Sequence, residues 1–331
     1  MRAFTGAFGL PEPRGDPFRA APRPAATAAP AADRAAPPAR DGASLARFFA
    51  ARGRRVVDAM GVLWTEYRRP FYASLPFQRR VDLDPGALRH ALRTRRIPAV
   101  RYLSVTQPGC PSGVYTLSPT GYGIGRVHPK RRRRVRRGLD ATECRTLDPD
   151  ELLALGLELN LDTLHRQRRF DPEFADAVGW RRFVAAVRTC PEVSIGGAFT
   201  RGRLSAYDVV CRDGDWLHLL HKMSRTADLA TDAGVALDFW RLCRAAGDAS
   251  LRGVETGFAP IVSGDTLHRY KTDLGFELIG CDLAIRFHPA LEPILASRWT
   301  VGAARLLARL RPRSHGLERV ANVLGGAQRS R

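Results

Sequence analysis

One stretch constrains the fold of this chain more than any other: residues 193–287, near the C-terminal end. It opens with three short runs of alternating apolar residues, VSIGGAF (193–199), LSAYDVVC (204–211) and WLHLLHKM (216–223), joined by the turns TRGR and RDGD. Period-two alternation broken by Gly-containing turns reads as an antiparallel meander. The period then changes. Val235, Phe239, Leu242 and Ala246 are spaced as one stripe of a helix, and burial of the first three is worth roughly 1.5–3 kcal/mol apiece. Gly253 to Phe258 reads as another strand, and Ser263 to Leu274 as a short helix stopped by Gly275. The alternation of Ile279, Cys281, Leu283, Ile285 and Phe287 marks a last strand. The expectation is an α+β (mixed α/β) fold whose central sheet is mixed, mostly antiparallel and flanked by helices.

A chain of 331 residues has room for two modest domains, and 44% hydrophobic content supports a packed core. No apolar run approaches the roughly 18 residues needed to cross a bilayer. Six cysteines (110, 144, 190, 211, 243 and 281) are scattered without a C-x-x-C, which reads as reduced core thiols in a cytoplasmic protein. His218 and His221 lie three apart on an expected strand, so they should face opposite ways, and no metal site is expected. The net charge is +20, yet only three of 53 basic residues are lysines, Lys130, Lys222 and Lys271. That skew fits an Arg-favouring codon composition as well as it fits selection for a polyanion. A basic chain still attracts phosphates and acidic surfaces.

In chain order, residues 1–44 are rich in Ala, Pro and Arg and are expected to form a disordered tail, with no apolar core of a secretory signal. Residues 45–128 read as a reduced first lobe, with a helix from Leu45 and a second over 85–95 capped by Asp84 and Pro85. Strands are expected over 100–105, 114–117 and 122–127. A main domain over 129–290 opens with PKRRRRVRRGL, a helix anchored by Val135 and Leu139 with arginines fanned outward. Two readings of that cluster stay open: a solvated basic face, or a clamp on substrate phosphates or RNA backbone. No base-stacking aromatic lies within the run. Two helices follow, the first with Asp148, Pro149 and Glu151 at its start. The second begins at Asp171–Pro172 and is expected to bury Phe174, Val178, Phe183, Val184 and Val187. Residues 291–331 form a basic amphipathic tail that either docks on the fold or lies on an acidic membrane surface.

Taken in sequence, KRRRRVRRGL, DELLALGLELNLDTLHRQ, the meander and VETGFAPIVSGDTLHRYKTDLGF resemble the GNAT-type acyltransferases of the FemAB-like group, over about residues 125–287. The resemblance implies a GNAT-like acyltransferase fold and an N-acyltransferase that moves an acyl or aminoacyl group directly to an amine. It implies no tightly bound cofactor, with acyl-CoA or aminoacyl-tRNA as co-substrate and a small or nucleotide-linked amine as acceptor. It also implies a site. Glu255 and Gly257 match the acidic strand end, and Tyr270–Lys271 match the pair before Gly275–Phe276. Lys271 is then the oxyanion partner, and Glu255 the base or amine anchor. Tyr207 and Tyr270 become hydrogen-bonding walls, and Arg133, Arg134 and Arg137 contacts to substrate phosphates. One departure bears on the donor. CoA-dependent members carry [R/Q]-x-x-G-x-[G/A] before the long helix, whereas this chain has RTADLATDAG, whose Asp228 and Asp232 would repel a pyrophosphate. Two other classes remain open: a non-enzymatic basic nucleic-acid-binding protein, and an inactive GNAT-fold scaffold that binds a phosphorylated metabolite.

Overall fold

Among the described residues the first helix is α1 (Ala43–Ala51), which follows Gly42 in a left-handed backbone (φ +88) and buries Leu45, Phe48 and Phe49. The computed structural model describes residues 41–68, 70–168, 170–259, 265–310 and 315–329, so the expected tail lies outside the described residues up to residue 40. Four strands follow: β1 (Val56–Ala59), β2 (Val62–Arg68), β3 (Phe71–Leu75) and the two-residue β4 (Arg80–Val81). Helix α2 (Pro85–Thr94) starts with Pro85 in its first turn, and the Asp84 carboxylate accepts from the Ala87 amide. Strands β5 (Ala99–Ser104) and β6 (Cys110–Leu117) match two of the expected strands. The third does not form. With glycine at 121, 123 and 125 the segment has little to pack on a pleated face. It makes a 3-10 turn at Ile124–Arg126 and sends the Tyr122 hydroxyl to the Leu274 carbonyl at 2.8 Å.

Helix α3 (Pro129–Ala141) carries the arginine cluster, and strand β7 (Glu143–Thr146) follows it. Helix α4 (Pro149–Arg166) has the reciprocal cap expected of Asp148 and Glu151. Its buried face holds Leu152, Leu159 and Leu164 but also Asn160 and Thr163, while Leu155 and Leu161 are exposed. The next expected helix is two. Asp176 accepts from the Val178 and Gly179 amides, which ends α5 (Pro172–Ala175) and starts α6 (Ala177–Thr189). That second cap leaves Val178 exposed rather than buried.

The meander is β8 (Val193–Thr200), β9 (Arg203–Asp213) and β10 (Trp216–Ser224). Its first turn, Arg201–Gly202, has positive φ at both residues, the backbone that a two-residue hairpin requires. Helix α7 (Ala233–Ala246), strand β11 (Gly253–Phe258), helix α8 (Asp265–Asp273) and strand β12 (Glu277–Phe287) complete the expected alternation. Residues 263 and 264 of the expected short helix lie outside the described residues. The chain ends in α9 (Glu292–Leu295), α10 (Arg298–Leu310) and α11 (His315–Arg329).

Strand order is β1-β2-β3-β5-β12-β6-β11-β10-β9-β8-β7, with β4 beside β5. Among the described strands only β3/β5, β4/β5 and β10/β11 are parallel, so the sheet is mixed and mostly antiparallel. β12 threads between β5 and β6, tying the C-terminal strand into the N-terminal half. On one face α1, α4 and α6 cover a core that includes Leu45, Phe48, Trp180, Phe183 and Tyr207. On the other face α7 packs with Val235, Leu237 and Leu242 buried, Phe239 only half-buried, and two charged residues turned inward, Asp238 and Arg241. Arg241 grips the buried Asp208 carboxylate at 2.6 and 3.1 Å. The α11 helix docks on β6 and β12, and α10 packs on α11. No helix among the described residues is long and apolar enough to cross a membrane.

Candidate active site

The site begins where two parallel strands part. β10 and β11 pair at only three rungs, Trp216↔Gly253, Leu217↔Val254 and His218↔Glu255. Beyond them each strand is irregular. β10 bulges at Leu220 against β9, and β11 loses register against β6 around Gly257, which sits at φ +74. Side chains lock the last rung. Glu255 Oε2 and His218 Nδ1 lie 3.0 Å apart, Glu255 Oε1 accepts from the Gly257 amide, and both side chains are buried. The carboxylate thus holds the final pair together and fixes the turn at which β11 bends away.

The bulge overturns the expected placement of the histidines. His218 sits opposite Cys211 and His221 opposite Val209. Those partners are two apart on β9, so both histidines face the same side of the sheet. His218 packs edge-on to Phe77. His221 stacks on Phe174 with ring centroids 3.9 Å apart, and its Nε2 is 3.2 Å from the Tyr207 hydroxyl. Tyr207 in turn donates to Asn160 Oδ1 in the fully buried core.

Two cavities meet at the parted strands. One of about 570 Å³ is lined by Lys222, Asp238, Tyr270 and Lys271 beside α7 and α8, and also by Tyr67, Arg101 and Val323. The other, about 840 Å³, lies on the α1 and α5 side, with Phe49, Phe77, Phe174 and Glu255 in its wall. Leu219, Leu220, His221, Lys222, Gly257 and Phe258 line both, as does Tyr67 of β2. The parted ends of β10 and β11 are therefore a wall common to both cavities.

Two lysines stand at it in different electrostatic states. Lys271 donates to the Thr256 carbonyl at 2.6 Å and lies 4.2 Å from the Tyr115 ring centroid. Burial lowers its pKa to about 8, and the nearby Glu255 charge only partly opposes this. Lys222 is held the other way. Burial works against its charge, but Asp238 at 2.5 Å and Tyr270 at 3.2 Å outweigh it and raise its pKa. Tyr270 also donates to Asp238, and burial raises the phenol's pKa. The result is one ammonium fixed in charge beside another poised to lose its proton.

Comparison with known proteins supports the architecture. No protein-family model matches the sequence, and no curated protein is significantly similar to it. Among solved structures, FemX superposes with a TM-score of 0.50 at 10% identity, over 71% of this chain and 88% of FemX. The C-terminal domain of a protein named as a lysylphosphatidylglycerol synthetase from Agrobacterium fabrum gives 0.50 at 10% identity, over 74% and 88%. The fold is the one seen in FemX and in that domain, the FemAB-like GNAT fold.

In this GNAT fold the start of α7 takes the place where CoA-dependent members are expected to cradle a pyrophosphate. Here it is already occupied. Asp232, at φ +59, buries its carboxylate between Arg134 (2.7 Å) and Arg137 (2.8 Å). Gly138 lets α3 come so close that a Cβ there would lie 2.7 Å from the Asp232 carbonyl oxygen. The close contact is made at Gly138, not at Leu139, which is 39% exposed. Asp228 is likewise engaged, by Arg203 at 2.8 Å and Ser205 at 2.7 Å. The two carboxylates are thus partnered by the chain itself, and α3 rather than bare negative charge fills the place.

The residues singled out in the sequence therefore divide. Lys271 and Tyr270 line the smaller cavity and Glu255 the larger. Tyr207 lies in the core behind His221 rather than in either wall. Arg134 and Arg137 serve Asp232, while Arg133 points outward beside Arg132 and Arg136 along an open groove on α3. Sequence reasoning missed Lys222 and Asp238 as site residues. The signal was there: Asp238 falls on the apolar stripe of α7, and Lys222 is one of three lysines in an arginine-rich chain.

Proposed function

We infer that this protein is an N-acyltransferase, moving an acyl or aminoacyl group from an activated donor to an amine across the parted strands. The observation that carries the reading is the pair of cavities that meet at the parted strands and share one short wall. Such a wall holds two substrates with their reacting atoms in contact, the largest saving available to a bimolecular step. The amine attacks the donor carbonyl and forms a tetrahedral oxyanion, which collapses to the amide as the thiol or ribose hydroxyl leaves with a proton. Lys271, and Lys222 beside it, supply ammonium donors for that oxyanion. Glu255 has both oxygens engaged, so its assigned part is to position the strands through His218 and Gly257. His221 reaches both cavities. With Tyr207 donating to Asn160, its hydroxyl oxygen accepts from His221 Nε2–H, which fixes the ring in the wall between the cavities.

The filled α7 start favours aminoacyl-tRNA over acyl-CoA as donor. A pyrophosphate there needs free helix amides, and this place already carries Asp232, Arg134 and Arg137. Arg133 and Arg136 make no hydrogen bond or ion pair among the described residues, which leaves them for a phosphate backbone. The test is native mass spectrometry of the purified protein with each donor. Saturable binding of charged tRNA, with acetyl-CoA weak, is expected. Tight acetyl-CoA binding with no response to tRNA overturns the donor assignment, and indifference to both overturns the transferase reading.

A further inference from the structure

The C-terminal helices hold a dense group of exposed apolar side chains. In α10, Trp299 is 77% exposed, Leu306 57% and Leu310 68%. Their spacing of seven and four residues puts them on one helical stripe. Val301, on the opposite side, is the residue α10 buries. Arg298, Arg305 and Arg309 each stand one position before a member of the stripe, so a row of positive charge borders it. Residues 293–317 contain no Asp or Glu.

An apolar stripe carrying an outermost tryptophan and edged by arginine suits the plane of a bilayer surface, where the ring sits at headgroup level and guanidinium groups meet phosphate. We propose that α10 is a docking face for an anionic lipid bilayer. Charge selects this occupant. A second copy of the chain would set the same acid-free, arginine-edged stripe against itself, whereas a phosphate surface complements it. The α11 helix, on which α10 packs, also contributes Val323 to the smaller cavity, so one element joins the docking face to the candidate active site.

The experiment is vesicle co-sedimentation of the full chain, with phosphatidylglycerol in phosphatidylcholine compared with phosphatidylcholine alone. Wild type is compared with Trp299→Ser/Leu310→Ser, which leaves the charge unchanged and alters only exposed side chains. Wild type should prefer the anionic vesicles by at least about tenfold, and the double variant should lose about tenfold of that binding while keeping its circular dichroism. Loss of the vesicle-induced blue shift in Trp299→Phe would place the ring in the lipid. If the double variant binds like wild type, the +20 charge alone explains the attraction and the docking face is wrong. Equal binding to neutral vesicles, no binding to either, or an apolar-stripe variant that instead dissociates a dimer overturns it too.

Discussion

Lys271 places an ammonium where the fold resists it. Its folded pKa of about 8 lies below the ordinary 10.5. Between those values the unfolded chain binds a proton the folded chain lacks, so stability rises with pH across that window. Below pH 8 the buried charge is a constant cost, and Lys271→Met should melt higher than wild type at pH 7 while losing roughly 10²–10³ in kcat with little change in KM. As an oxyanion donor Lys271 must be protonated, so wild-type kcat should fall as pH rises through about 8. Lys271→Arg should move that fall to higher pH, because guanidinium keeps its proton, at reduced rate because the planar fork fits the site poorly. A rate that instead climbs through pH 8 would make Lys271 a base. Glu255 gives a second contrast. Glu255→Gln should cost about 1–3 kcal/mol in denaturant unfolding as well as activity, since it loosens the last β10–β11 rung. Loss of kcat with full stability would return Glu255 to the role of general base.

At the scale of elements, α3 is two helices in one. One side braces α7, through Arg134 and Arg137 on Asp232 and through Gly138 on the Asp232 backbone. The other side offers Arg133 and Arg136 outward. The arginines singled out from sequence as one cluster should therefore separate in experiment. Arg134→Gln/Arg137→Gln leaves a fully buried carboxylate unpaired and should cost about 3 kcal/mol in thermal or denaturant unfolding. Arg133→Gln/Arg136→Gln should leave stability within about 0.5 kcal/mol of wild type and weaken polyanion binding in a salt-dependent way. Gly138→Ala should lose about 1–3 kcal/mol, because its Cβ meets backbone rather than a side chain that can swing away.

Across the whole molecule, what was legible was local and periodic. The meander, the caps at Asp84 and Asp148, the stop at Gly275 and the order of elements follow from alternation and from hydrogen-bonding needs that neighbouring residues satisfy. What was illegible depended on partners far along the chain. The bulge at Leu220 exists only in register with β9, and it alone brings His221 to the side of His218. The Asp228 and Asp232 carboxylates read as repulsive until Arg203, Arg134 and Arg137 are seen beside them. Tyr207 alternates onto the core face, where Asn160 satisfies it, so its hydroxyl supports His221 from behind.

Group transfer is assigned to the wall where β10 and β11 part. Its most direct measurement is a single-turnover assay with tRNA charged with a radiolabelled amino acid and a panel of amines, run with wild type and Lys271→Met in parallel. Label should appear in an alkali-stable amide with wild type, slowed roughly 10²–10³-fold in the variant while donor binding persists. Donor that is bound by folded wild type yet only hydrolysed, or transferred equally fast by the variant, would contradict that assignment.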